Sequence, residues 1–327
     1  MTRMGVVGAT GYGGQELIRL AARHPRLEVT VAMTSSTGEE SRTLPALTKI
    51  WDGDLAPFSI DRLASETDVT FLSLPDTASA SIAPALLDRG VRVFDLSGAF
   101  RLRRPEARRR WYPETPELSL VPVYGLTERR RNALEDARFV TCPGCYPTAA
   151  LLALEPLAEA GILTRDVFID AKSGISGAGR KPTLRTHFSE CHDNVTPYGI
   201  FAHRHAAEIE QELTREVTFV PHLVPLDRGI LETIYTRVDT TTTAAQIADV
   251  FAHAYEGAPF VRLRSDDLPE IRHVTHTNYC DIGWRLDETT GRLVVVSCLD
   301  NLVKGAAGQA LQSLNVALGF DERLGLT

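Results

Sequence analysis

The chain has little cysteine and no long apolar run, and both shortages narrow its possible roles. Five cysteines in 327 residues, an odd number spread widely, do not make the dense even set of a disulfide-stapled secreted domain. A reducing compartment fits them better. No apolar stretch approaches the roughly 20 residues that a membrane span needs, so no membrane partner is expected. The N-terminus runs straight into a strand without a signal-peptide pattern, which makes a cytoplasmic location the expectation. A net charge of −7 gives no general reason to bind nucleic acid. The local basic block at Arg101-Leu102-Arg103-Arg104 and Arg108-Arg109-Arg110 reads mostly as a solvated helical face. Internal repeats and low-complexity segments are absent. No second Cys-x-x-Cys pair accompanies Cys142 and Cys145, and Cys191-His192 has the wrong spacing, so no metal is expected. What remains is a soluble globular chain, 43% hydrophobic and 24% charged, large enough for two domains.

Against that background Cys145 stands out. It lies in Cys142-Pro143-Gly144-Cys145-Tyr146-Pro147-Thr148, just ahead of the apolar helical run Ala149-Ala150-Leu151-Leu152-Ala153-Leu154. A thiol at a helix N-terminus faces unpaired backbone N–H groups and the positive end of the helix dipole, which favour thiolate. The opening stretch, Met4-Gly5-Val6-Val7-Gly8-Ala9-Thr10-Gly11-Tyr12-Gly13-Gly14, reads as strand, glycine turn and helix start. Its G-x-x-G-x-x-G spacing is a variant of the dinucleotide fingerprint, in which glycine lets the backbone approach a pyrophosphate; an ordinary turn is the other reading. The next strand, Leu27 to Ala32, runs into Met33-Thr34-Ser35-Ser36-Thr37-Gly38 with no acidic side chain at its tip. Hydroxyls at Ser35 and Ser36 with Arg42 nearby fit the 2′-phosphate of NADP better than the ribose hydroxyl of NAD. Further strands are expected at Val69 to Leu74 and Val91 to Leu96, with a helix from Ala78 to Arg89 between them. Strand and helix alternate, so the sheet should be parallel, with Ser73-Leu74-Pro75 and Ser97-Gly98-Ala99 at its ligand-binding edge.

The second half has longer strand patterns at Val167 to Ala171, Val217 to Pro221, Gly229 to Val238 and Leu293 to Cys298. They suit a mixed sheet that presents a substrate surface. Thr240 to Thr243 reads as a loop with a threonine N-cap for a helix from Ala244, and Ala306 to Leu318 as a last helix returning to the first domain. Ser173-Gly174-Ile175-Ser176-Gly177-Ala178-Gly179-Arg180-Lys181 is either an anion-holding loop or a flexible surface loop. His203-Arg204-His205 offers two imidazoles, and one placed beside a reactive cysteine carries protons.

These blocks run in order along nearly the whole chain, joined by Asp95 to Leu102, Pro221 to Ile230 and Asp300 to Ala310. Together the chain resembles the N-acetyl-gamma-glutamyl-phosphate reductases, arginine-biosynthesis enzymes related to the aspartate-semialdehyde dehydrogenases. The resemblance implies an α/β fold: a Rossmann-type parallel-sheet NADP domain, residues 1–144 with 301–327, and an α+β catalytic and oligomerisation domain, residues 145–300. It implies NADPH-dependent reduction of an acyl phosphate through a Cys145 thioester, releasing aldehyde and phosphate, with His205 or else His203 as acid/base. It places cofactor contacts at Gly8, Thr10, Gly11, Tyr12, Gly13, Gly14, Ser35, Ser36, Arg42, Ser73, Pro75, Ser176, Gly177 and Asn301. Arg101, Ser97, Ser173, Gly174 and Arg180 fall to the substrate, and the assembly to a homodimer or homotetramer. The chain departs from the family at Cys142, commonly asparagine, and at Asp76-Thr77, commonly His-Gly. Cys142 raises the alternative of an NADP-binding redox sensor built on the Cys142/Cys145 pair, and a related reductase acting on a carrier-protein-bound aminoadipyl or glutamyl phosphate would share nearly all the motifs.

Overall fold

Apolar strands alternating with amphipathic helices bury both faces of a sheet only when the helices cross over it, which makes neighbouring strands parallel. A computed structural model, describing residues 1–34, 44–118 and 120–327, shows this for the first half. In chain order the elements are β1 (Thr2–Val7), α1 (Tyr12–Ala21), β2 (Leu27–Met33), β3 (Leu55–Ala56), α2 (Ile60–Glu66), β4 (Val69–Leu72), α3 (Asp76–Leu87), β5 (Arg92–Asp95), α4 (Pro105–Trp111), β6 (Val123–Tyr124), α5 (Thr127–Leu134) and β7 (Phe139–Thr141). The sheet has order β3-β2-β1-β4-β5-β7-β6, parallel throughout. Strand order reverses at β1, the switch point where open α/β sheets bind ligands. The strand expected to reach Leu74 ends at Leu72, and α3 starts at Asp76, two residues before the expected Ala78. Of the basic block, Arg108, Arg109 and Arg110 do end the solvated helix α4, whereas Arg101 is buried.

The second half holds α6 (Cys145–Glu159), β8 (Phe168–Gly174), α7 (Phe188–Cys191), β9 (Thr196–Pro197), α8 (Arg204–Leu213), β10 (Thr218–Val224), β11 (Ile230–Arg237), α9 (Ala244–Ala254), β12 (Val261–Arg264), β13 (Cys280–Asp287) and β14 (Arg292–Leu299). Its sheet, β12-β13-β14-β11-β8-β10-β9, is mixed: β8 with β10 and β12 with β13 are parallel, the other pairs antiparallel. Strand β13 escaped the sequence reading because a polar residue points inward, Asp281 being fully buried and paired with Arg262 at 2.6 Å. Thr243 caps α9 as expected, in a reciprocal capping box with Gln246. The chain divides into two compact units, residues 1–144 with 306–327 and residues 145–305. The last helix, α10 (Gly308–Ala317), packs on α1 and α5 of the first unit. It is shorter than the helix expected from Ala306, because Val303–Ala307 forms a π turn ahead of it.

Helix α6 is the centre of the second unit. Its residues from Tyr146 to Leu157 are all buried, and it packs against β11, β14, α8 and α9. A helix this rich in apolar residues around its circumference has to be surrounded in this way. Pro147 lies in the first turn, where a missing N–H costs nothing. Pro156 lies inside, and its missing N–H leaves the Leu152 carbonyl without a helical donor. The Tyr255 hydroxyl donates to that carbonyl instead. Tyr255→Phe should therefore destabilise the fold by about 1–3 kcal/mol, the cost of a buried acceptor without its partner, measured by chemical denaturation. An unchanged midpoint would show that the hydroxyl is dispensable.

Candidate active site

The turn after β1 contains glycines of two kinds. Gly8 has φ +84, and a Cβ there would sit 2.1 Å from the Ser73 carbonyl oxygen; at Gly14 it would sit 2.4 Å from the Gly8 carbonyl oxygen. The fold itself requires glycine at both. Gly11 is different: φ is −76, and an added Cβ would meet nothing closer than 3.4 Å. Neither conformation nor packing within the protein demands glycine there, and a bare backbone at this turn leaves room for a close-lying ligand. Gly11 caps α1 without a side-chain hydrogen bond, and the first turn of α1 has no acidic residue. These are the conditions for holding a pyrophosphate on helix N–H groups. Thr10 receives the Gln15 amide on its carbonyl, Tyr12 is 40% exposed, and a Cβ at Gly13 would come 2.9 Å from Ser73 Oγ. Ser73 pairs its N–H with the Val7 carbonyl, and Pro75 caps α3. Ser35, Ser36 and Arg42 lie outside the described residues.

The turn after β5 is organised by Asp95. Its buried carboxylate accepts from Ser79 Oγ at 2.6 Å and from the N–H and Oγ of Ser97, each at 2.9 Å. Burial pushes the Asp95 carboxyl upward. The Asp76 carboxylate accepts the Gly98 N–H at 2.7 Å, so the departure at residue 76 ties α3 to this turn. Arg101 donates Nε to the Cys142 carbonyl at 2.7 Å and Nη2 to the Leu96 carbonyl at 2.6 Å. Its guanidinium thus braces the segment leading to Cys145. Cys142 is 1% exposed, and burial, then the nearby Asp95, pushes its thiol far above the usual thiol range. Thiol exchange requires thiolate, so this environment argues against the redox-sensor reading.

In the second unit Cys145 is the first residue of α6 and partly exposed. Tyr146 beside it is edge-on to both His203 and His205, with ring centroids 6.0 and 5.9 Å away, and the two imidazoles are 4.7 Å apart. Tyr198 donates its hydroxyl to Tyr146 at 3.4 Å, and Tyr146 donates to the His222 carbonyl at 3.1 Å. Burial keeps both phenols protonated, Tyr198 pushed up to about 12. His203 is the N-cap of α8, its Nδ1 accepting the His205 N–H at 3.1 Å, and burial followed by the Arg204 charge lowers it to about 4. His203 is therefore a neutral structural cap, whereas His205, 9% exposed in the first turn of α8, does not serve as that cap.

The glycine-rich segment is more ordered than a surface loop. Ser173 and Gly174 end β8, and Ile175–Ala178 forms a 3₁₀ turn. A Cβ at Gly174 would meet the Asp227 carbonyl oxygen at 2.6 Å, and Ser173 Oγ, which donates to the Gly174 carbonyl, lies 2.7 Å from where a Gly177 Cβ would stand. Ser176 donates to the Asp227 carbonyl at 2.6 Å and accepts from Asn301, whose carbonyl takes the Gly229 N–H at 2.7 Å. Their side chains thus form one bracket. Arg180 is exposed. The sequence reading missed Glu232: fully buried on β11, opposite Ala171 and Ser297, with neither carboxyl oxygen meeting a hydrogen-bond partner. The only signal was one acid inside the apolar strand Ile230-Leu231-Glu232-Thr233-Ile234.

Residues 3–137 match the family described as semialdehyde dehydrogenase, NAD binding domain, and residues 145–301 match semialdehyde dehydrogenase, dimerisation domain. The N-acetyl-gamma-glutamyl-phosphate reductase of Bacillus subtilis (strain 168) is 42% identical over 339 aligned positions, covering 99% of this chain and 98% of the relative. The chain belongs to the N-acetyl-gamma-glutamyl-phosphate reductase family. Another member, from Shouchella clausii (strain KSM-K16), is 44% identical over 99% of this chain and 97% of its own. The fold of this reductase chain is shared with aspartate semialdehyde dehydrogenase II from Vibrio cholerae, at a TM-score of 0.71 and 17% identity over 97% of this chain and 98% of that one.

Two pH effects follow for this reductase. The fold favours neutral His203, so the stability it contributes is complete above pH 6.5 and lost as pH falls towards 4, by up to about 3 kcal/mol. His203→Asn keeps a capping side chain and should flatten that acid slope in denaturation experiments; an unaltered slope would assign it to other groups. Burial raises Glu232 well above its usual 4.5, so the native state keeps a proton that the unfolded chain releases. Its stability contribution is complete below pH 4.5 and declines as pH rises towards the folded value, by about 1.4 kcal/mol per unit. Glu232→Gln should gain on the parent from pH 5 to pH 8, and a constant difference would refute a buried neutral acid.

Proposed function

We propose that this chain catalyses NADPH-dependent reduction of N-acetyl-L-glutamyl 5-phosphate to N-acetyl-L-glutamate 5-semialdehyde and phosphate, a step of arginine biosynthesis. The carrying observation is end-to-end identity above 40% with reductases of that name. The glycine turn from Gly8 to Gly14 and the N-terminus of α1 suit the pyrophosphate of NADPH, with Ser35, Ser36 and Arg42 for the 2′-phosphate. When bound, NADPH supplies one hydride to an acyl carbon.

The chain's own residues do the rest. Cys145 attacks the acyl carbon while His205 takes the thiol proton, and the carbon–oxygen bond to phosphate breaks, leaving a thioester on sulfur. After reduction of that carbon, His205 returns its proton to the oxyanion, giving a thiohemiacetal. It reclaims the proton as the carbon–sulfur bond breaks, releasing aldehyde and thiolate. Arg101, Ser97, Ser173, Gly174 and Arg180 are proposed to hold the substrate and its phosphate. Arg101 does so from a position already braced on two carbonyls, and Ser176, Gly177 and Asn301 are proposed to contact the cofactor, Ser176 and Asn301 being joined by a side-chain hydrogen bond. A homodimer or homotetramer is the proposed assembly, supported by the dimerisation-domain match. Among the described residues no helix is long and apolar enough to cross a membrane, which is compatible with the proposed cytoplasmic location.

Phosphate-dependent reduction of NADP by N-acetyl-glutamate semialdehyde tests the proposal in the reverse direction. Wild type should turn over only with phosphate present, Cys145→Ser should fall to background, and His205→Asn should lose roughly 10²–10⁴-fold in kcat. A folded, NADP-binding wild type without turnover would transfer the proposal to a carrier-bound acyl substrate.

A further inference from the structure

Gly305 sits in the middle of the π turn Val303–Ala307, and its backbone has an ordinary φ. Conformation therefore does not call for glycine. Gly161 and Gly257 make the contrast: both have positive φ, +70 and +71, and nothing within 4 Å of an added Cβ. Space is what decides residue 305. A Cβ there would lie 2.8 Å from the Cβ of Cys145, 3.2 Å from its Cα and 3.2 Å from the Asp300 carbonyl oxygen. A Cβ cannot swing aside by rotating a side-chain bond, because the backbone fixes its position. Relief has to come from moving the start of α6 or moving the turn.

The turn is held against such a move. Gly305 donates its N–H to the Asp300 carbonyl at 2.8 Å. The fully buried Asp300 carboxylate accepts the Leu302 and Val303 N–H groups on Oδ1, at 2.8 and 3.0 Å, and the His276 N–H on Oδ2 at 2.6 Å. Arg228 Nη1 stands 3.6 Å from Oδ2. A π turn is an uncommon local geometry that recurs at functional sites. Here it presents a bare Cα to the cysteine from an anchored frame.

We propose that Gly305, anchored by Asp300, is a positioning residue for Cys145: its missing side chain lets the turn press against the Cβ of the nucleophile and hold the thiol in register for attack. The proposal rests on Cys145 being the nucleophile. A displacement of several tenths of an ångström at a reacting atom lowers turnover without altering ground-state binding, and about 1 Å costs on the order of a hundredfold.

The experiment compares Gly305→Ala with wild type in the phosphate-dependent NADP assay. It also follows the pH dependence of Cys145 alkylation by iodoacetamide, with the modified residue identified by mass spectrometry. The expected result is a kcat lower by roughly 10–100-fold, KM values for aldehyde and phosphate within about threefold of wild type, and an alkylation profile altered in rate or midpoint. Gly257→Ala, strained but touching nothing, should lose stability while keeping kcat and the alkylation profile. Asp300→Asn adds no heavy atom and replaces one acceptor of the anchor by a donor, so it should move the same two readouts and serves if Gly305→Ala fails to fold. Wild-type kcat and alkylation in a folded Gly305→Ala overturn the proposal, as does a loss confined to KM. Turnover that survives Cys145→Ser overturns the nucleophile assignment instead, which separates the two failures.

Discussion

The second unit depends on one constraint: α6 is predominantly apolar, is buried on all sides and can be stable only when enclosed. Strands β11 and β14 cover one flank, and α8 and α9 cover others. Enclosure removes the freedom of the helix to slide, so its N-terminus, with Cys145 as the first residue, is placed by the whole unit and not by a loop. The same packing brings the start of α8 to Tyr146, which is how two histidines nearly sixty residues away arrive against the ring next in sequence to the thiol. Pro156 opens a gap in the helix ladder, and the Tyr255 hydroxyl fills it.

Polar groups buried around this framework divide by how well they are met. Asp95 and Asp300 each collect N–H or hydroxyl donors and organise a turn, the first after β5 and the second after β14. Such carboxylates, once paired, define geometry tightly. Glu232 has no such donors, and burial favours its neutral acid form, a local cost within the sheet. His203 spends its Nδ1 on a helix cap, and that use separates it chemically from His205, two residues on.

Much of this was legible in the sequence. The 3.6-residue and two-residue periodicities of the first half, broken by glycine and proline, led to a parallel sheet, and the short glycine turn after the first strand marked its switch point. The threonine capping α9 was equally plain, since a capping box is contained within four residues. Less was legible where a polar residue faces inward: Asp281 with Arg262 hid β13, and Ser173 and Gly174 read as loop although they end a strand. The last helix was expected two residues too early to be α-helical, because no local signal distinguishes a π turn from the first turn of a helix.

By itself the sequence determined many of the elements, their order and the family, and singled out Cys145 as the thiol to propose, because these reside in patterns a few residues long or in blocks that keep their order. Tertiary structure decided which histidine is a cap, that Cys142 is buried, that Arg101 is braced on carbonyls, and why residue 305 has no side chain. Each of these turns on distance and burial between residues far apart in the chain, and hydrogen bonding, desolvation and steric exclusion act only once folding has set those distances.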